Sequence, residues 1–260
     1  MSNIEALQLR SIRAEVSAAE WAARVDLAAA YRLANLYGMS DMIYTHISAR
    51  VPDAPGHFLI NPHGMLFEEI TASSLLKVDL DGAVAYAPDL PYGLQIAGFV
   101  IHSAIYRARP DVGAVMHTHT IAGMAVSSLR CGLLPLTQTA TRFYTRIAYH
   151  DFTGPERDPG ERERLAAHLG AENVMILRNH GLLTVGATVA ETFNRMYGME
   201  RSCEAQIAAM SCNTELNHLD PAIVDRAVAL YDPKLIRPYG ILEWPALLRK
   251  LDRIDPSYRD

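Results

Sequence analysis

Two histidines one residue apart, His117 and His119, close the segment GAVMHTH. On a strand, side chains at i and i+2 project from one face, so both imidazoles can reach one ion. Two imidazoles rarely hold a metal alone, and a third ligand should come from another element. His180 is the candidate. It follows the apolar run VMILRN and precedes Gly181, whose backbone freedom would let the side chain be aimed into a cleft. Three neutral imidazoles with an open position make a catalytic site for one divalent ion, zinc first, with manganese, iron or cobalt as alternatives. The competing reading is a polar strand end followed by an unrelated turn.

Composition removes other chemistries. Of 24 basic residues only Lys77, Lys234 and Lys250 are lysines. Schiff-base catalysis needs a buried lysine of lowered pKa, and none of the three contexts suggests one. Cys131, Cys203 and Cys212 show no CxxC spacing, which points to reduced thiols and a cytoplasmic setting. A net charge of −5 without a basic stripe argues against nucleic acid. No apolar run approaches the ~18 residues of a membrane span. The opening residues, with Glu5 and Glu15, lack the apolar centre of a secretory signal. Neither GxGxxG nor P-loop spacing occurs. At 260 residues, half of them hydrophobic, the chain can bury a core without disulfides.

The elements that must position the histidines follow from patterning. Ser17 and Glu20 form a capping box that opens a helix ending near Tyr37, with Gly38 as its stop. In MIYTHISARV, Tyr44, His46, Ser48 and Arg50 alternate with Ile43, Thr45, Ile47 and Ala49, as in a strand. HFLINP reads as a second strand, and Asp81–Gly82 turns a hairpin between LLKVDL and AVAYA. A helix from Ala97 ends before Pro110. GAVMHTH feeds a helix at IAGMAVSSL. NVMILRNHG and LLTVG are two strands joined by a turn, and a capping box at Thr188 and Glu191 opens a helix to about Met210. The whole, residues 1–260, reads as one α/β domain. Its core spans about 21–210, and a proline-marked C-terminal extension over 221–260 would pack on its own subunit or reach a neighbour.

The blocks HSAIYRARPDVGAVMHTHT, CGLLPL, AYHDFTG and ILRNHGLL, in this order, resemble the class II aldolase and adducin-head family. The pattern THISAR, NPHG and AGFVIH is similar to its bacterial adducin-head-like branch. The resemblance implies a central, mainly antiparallel sheet flanked by helices, and a homotetramer with active sites at subunit boundaries. It also implies a divalent ion on His117, His119 and His180. The departures are informative. The aldolase glutamate that acts as ligand and acid–base group falls on Gly98, four residues before His102. The serines that bind substrate phosphate fall on Ile96 and Ala97. The glycine–asparagine pair of the first phosphate loop falls on Thr45 and His46, and the second-loop threonine falls on His63.

His46 and His63 are therefore candidate catalytic groups in the cleft that phosphate occupies elsewhere. As plain strand or loop histidines they are equally in character. His102 reads as a packed, hydrogen-bonded histidine near the site. Arg142 and Tyr144, in TATRFYTR beside Arg146, are candidate substrate contacts across a subunit boundary, or an exposed edge. His150–Asp151 reads as a surface turn. The expected activity is a divalent-metal-dependent carbon–carbon lyase, aldolase or decarboxylase, acting on a small non-phosphorylated oxygenated molecule through a metal-stabilised enolate. The alternatives are a non-catalytic adducin-like interaction module and an Fe(II) oxygenase on the same histidines.

Overall fold

The computed structural model describes residues 9–154, 159–232 and 235–260. Pro233, Lys234 and residues 1–8, Glu5 among them, lie outside the described residues. The Ser17 hydroxyl caps α1 (Ala18–Leu36) by accepting the Glu20 N–H at 3.0 Å. The reciprocal half of the expected capping box is absent. The Glu20 carboxylate instead takes Arg24 at 2.9 Å and Lys77 at 2.7 Å, because ionised donors outcompete a backbone amide. Arg24 also donates to the carbonyls of Ala72 and Leu75.

Eight strands form one sheet: β1 (His46–Arg50), β2 (His57–Ile60), β3 (Leu76–Asp79), β4 (Val84–Tyr86), β5 (Ala114–Thr118), β6 (Ile147–His150), β7 (Val174–Leu177) and β8 (Gly181–Gly186). Their order is β4-β3-β2-β1-β5-β8-β7-β6, antiparallel except for the β6–β7 pair. The Asp81–Gly82 hairpin forms as expected, with Gly82 at φ +97 and the Asp79 carboxylate accepting the N–H groups of Asp81 and Ala83.

Helices cover both faces of the sheet, which is why β5, β7 and β8 are buried at every position. One face carries Ile47, Ala49, Met116, Ile176 and Leu182 against α1 and α6 (Val189–Ser211). The other carries Phe58, Ile60, Val115, Leu183 and Val185 against α2 (Ile96–Ala108) and α5 (Pro159–Leu169). By strand alternation His46, Ser48 and His117 belong to the α2 face. The described residues also form α3 (Ile121–Ser127), α4 (Gln138–Thr141), α7 (Pro221–Leu230) and α8 (Glu243–Ile254).

The described C-terminal extension packs on its own subunit. The Trp244 indole donates to Asp26 of α1 at 2.9 Å, and Tyr258 is buried beside it. Among the described residues no helix is long and apolar enough to cross a membrane. Lys77 is held by Glu20 and Lys250 lies over the Tyr37 ring, so neither is a free amine for Schiff-base chemistry.

The ion network under α1 yields a stability expectation. The Arg24 and Glu20 side chains are 0% and 5% exposed. Glu20→Ala strands a buried guanidinium and should cost about 3–5 kcal/mol. Urea unfolding of the variant measures this, and a loss under about 1 kcal/mol would show that water reaches Arg24.

Candidate metal centre

His117 is the last residue but one of β5, directly opposite His46 on β1, and its neighbour on β8 is Leu183. His180 stands in the β7–β8 turn, where the left-handed residue is Asn179 (φ +56) and not Gly181. Gly181 serves a different purpose from the one expected of it. A Cβ there would lie 2.3 Å from the Thr118 carbonyl oxygen, so only glycine lets β8 start tight against the HxH segment.

The three imidazoles converge. His119 Nε2 lies 2.8 Å from His117 Nε2 and 2.9 Å from His180 Nε2. They form the cluster of the described residues able to hold an ion, all ligand atoms lying within 4.8 Å of one another. The hydrogen-bond partners fix the protons. His117 Nδ1 donates to the Leu182 carbonyl at 2.9 Å, and His119 Nδ1 faces the Asp41 carboxylate at 3.1 Å. Each ring thus spends its proton on the Nδ1 side and presents a bare Nε2 lone pair to the other. Two facing lone pairs at 2.8 Å repel unless a cation lies between them, so the donor set fits a divalent ion. Burial and the adjacent imidazoles hold His117 well below the ordinary histidine range, as a neutral ligand. Asp41 orients His119, a role for which nothing in its loop sequence gave a signal.

Behind the triad runs a buried hydrogen-bond chain. His46 Nδ1 meets His102 Nε2 at 2.8 Å, His102 Nδ1 meets Ser48 Oγ, and Ser48 Oγ meets the Tyr106 hydroxyl at 2.8 Å. The His46 ring packs 5.2 Å from that of His117. Gly98 explains its placement: a Cβ at 98 would lie 2.6 Å from His46 Cδ2 and 2.9 Å from its Nε2. The imidazole fills the space in which a side chain at 98 would begin.

His63 follows β2 at the sheet end that carries His46 and His117. Its N–H bonds the Gly93 carbonyl, and its buried Nδ1 has no hydrogen-bond partner among the described residues. Arg142 and Tyr144 do not join the triad of their own chain. They precede β6, whose Ile147 pairs with Val174 at the end of β7 remote from His180. The surface-turn expectation fails at His150, which is buried and faces His168 of α5 at 2.9 Å, while Asp151 pairs with Arg178.

Burial pulls His102 down to about 3, with His117 adding to the effect, and holds His46 well below its usual range in the same direction. A histidine whose folded pKa is depressed contributes stability that is complete above its unfolded pKa of ~6.5. That stability is lost as the pH falls toward about 3. For His102 alone the loss should be about 2 kcal/mol at pH 5. Urea unfolding of chelator-treated protein at pH 7 and pH 5 tests this, and equal stabilities at the two values would contradict it.

Residues 25–207 match the family model for the class II aldolase and adducin N-terminal domain. The chain belongs to this family. An aldolase II superfamily protein from Pseudomonas syringae is 48% identical and superposes with a TM-score of 0.89, covering 96% of this chain and all of that one. L-fuculose 1-phosphate aldolase from Glaciozyma antarctica is 28% identical with a TM-score of 0.81, covering 97% of this chain and 96% of that one. Alpha-adducin of Rattus norvegicus is 46% identical over 189 residues, 72% of this chain but 26% of adducin. The family fold accounts for the expected architecture: one α/β unit with a mainly antiparallel sheet between helices. Class II aldolases are metal-dependent lyases, and the histidine triad stands where such an ion would be held.

Proposed function

We propose that this chain is a divalent-metal-dependent carbon–carbon lyase acting on a small, non-phosphorylated oxygenated substrate. In this reading His117, His119 and His180 hold one ion, zinc first, and His46 is the acid–base group. The observation that carries the reading is the convergence of three imidazoles, with the Nε2 atoms of His117 and His119 free of protons, beside an imidazole seated against Gly98. When bound, the ion supplies Lewis-acid stabilisation of charge that develops on a substrate oxygen as the bond breaks.

The proton chemistry falls to the chain's own residues. His46 commits Nδ1 to His102 and keeps Nε2 for the substrate. If Tyr106 donates to Ser48, Ser48 to His102 and His102 to His46, then His46 Nε2 carries a proton and is an acid. If each of these bonds reverses, Nε2 is bare and is a base. Every group is neutral in either orientation before a proton is exchanged with the substrate, which suits a chain buried away from water. In aldol cleavage the bare Nε2 takes the hydroxyl proton. In decarboxylation no proton need be removed first; His46 Nε2 gives its proton to carbon after carbon dioxide leaves and takes a replacement from solvent when the site opens. The absence of a carboxylate at 98 favours an acid substrate, which would meet imidazoles there instead of a like charge.

The non-phosphorylated assignment rests on Ile96, which is 65% exposed at the start of α2, and on Ala97. Neither offers the donor that a phosphate pocket needs. His63 is assigned to the rim of the same cleft. Cytoplasmic location and a homotetramer complete the proposal.

The test is an assay of zinc-, manganese-, cobalt- and iron-loaded protein against hydroxy-acids and ketoses, with and without oxygen. Metal-stimulated release of carbon dioxide or an aldehyde supports the lyase. Oxygen consumption would replace it with the oxygenase reading. The adducin likeness favours a second reading, an interaction module, and inactivity with every metal and substrate would select it.

A further inference from the structure

The arginines of TATRFYTR remain to be explained. Arg142 and Arg146, with Arg195 of α6, line a cleft, partly open to solvent, that Tyr231 and Tyr239 of the C-terminal extension also line. Glu172 is the one acidic residue in the lining. Arg195 is matched by Glu191 at 2.6 Å. Arg146 spends its guanidinium on the carbonyls of Tyr231 and Val228, which accept hydrogen bonds but do not cancel its charge. Arg142 has neither kind of partner among the described residues. It is clasped by ring faces, with its Cζ 3.3 Å from the centre of Tyr239 and 4.9 Å from that of Phe143. Its Nη2 and the Tyr239 hydroxyl are both buried without a hydrogen-bond partner.

We propose that this cleft binds a small oxyanion, a carboxylate or inorganic phosphate, between Arg142 Nη2 and the Tyr239 hydroxyl. Two buried donors without acceptors in one cleft are a costly arrangement, and an oxyanion satisfies both at once. Stacking on Tyr239 fixes the plane of the guanidinium, so the N–H edge is set before the ligand arrives. Burial pulls Arg142 down to about 10, with Arg195 acting in the same direction, which leaves it charged at neutral pH and favoured by a counter-charge. The cleft adjoins Asn173 and Val174, at the opposite end of β7 from His180, so it is separate from the metal centre. Its occupant would join the C-terminal extension to α6 and the β6 edge of the sheet.

The experiment is thermal unfolding of zinc-loaded full-length protein titrated with phosphate and, separately, malonate, at constant ionic strength against chloride. One of the two anions should raise Tm saturably, by about 5 °C at a hundredfold excess over Kd. A larger response to phosphate identifies a phosphate site, and a larger response to malonate a carboxylate site. Arg142→Gln should abolish the rise, and Tyr239→Phe, which keeps the ring under the guanidinium, should weaken it. His119→Ala should retain it, which separates the effect from anion capture at the metal. If Arg142→Gln does not fold, the Tyr239→Phe result decides. No saturable rise over chloride with either anion, or an undiminished rise in both variants, overturns the proposal.

Discussion

Protein loaded with zinc and freed of excess metal by gel filtration should carry one equivalent per chain, and His119→Ala should carry none. His119 is the pivot of the cluster: its Nε2 is the atom close to both of the other two. Without it, His117 and His180 are left as a two-ligand site, too few for tight binding of a borderline ion. Asp41→Asn is the finer test. The amide keeps the size of the carboxylate but loses its charge, so His119 is less firmly oriented and less basic. Affinity should fall about 10–100-fold with the binding stoichiometry unchanged. Metal analysis and competition with a chromophoric chelator give both numbers. Stoichiometric zinc on His119→Ala would remove the triad as the site.

Replacing His46 by Gln should lower turnover of the substrate that the assay identifies by ~10²–10⁴-fold, with zinc content intact, as expected on losing a general acid–base group. The size of that loss separates catalysis from structure, because His46 is not among the three ligands and its removal need not release the ion. Gly98→Glu, which would restore the glutamate expected from the aldolases, does not act alone in this protein. Its Cβ would lie 2.6 Å from the His46 ring, so the single variant should lose about 1–3 kcal/mol to overpacking. The double variant His46→Asn/Gly98→Glu should recover most of that loss. A single Gly98→Glu variant as stable as the parent would show that the two side chains do not compete.

The parts of this site readable from sequence were those encoded locally. An HxH at a strand end fixes two ligands through the period of the strand, and the NHG turn delivers the third because β7 and β8 are contiguous hairpin partners. Capping residues located α1 and α6 because a cap is a contact three residues long. What stayed hidden was encoded at distance. Asp41 reaches His119 across 78 residues, and His46 meets His102 across 56. The alternation in THISAR identified a strand but not what covered its polar face, and so gave no hint that Ser48 would extend a buried relay. The packing of Arg142 within its own chain was hidden for the same reason. Its segment reads as an exposed edge until the C-terminal extension folds over it with Tyr239.

The contest between position 46 and position 98 has a consequence for descent. Family aldolases pair an asparagine at the first position with a glutamate at the second, and this chain pairs a histidine with a glycine. A lineage passing from one arrangement to the other is destabilised by about 1–3 kcal/mol if it acquires the imidazole while a side chain still stands at 98. The less costly route loses the carboxylate first, through a glycine-bearing ancestor with a vacant pocket and impaired proton transfer, and gains the histidine afterwards. Reconstructed intermediates should therefore include asparagine at the first position with glycine at the second. Histidine at the first with glutamate at the second should be rare among them, and the two positions should change together wherever the family divides.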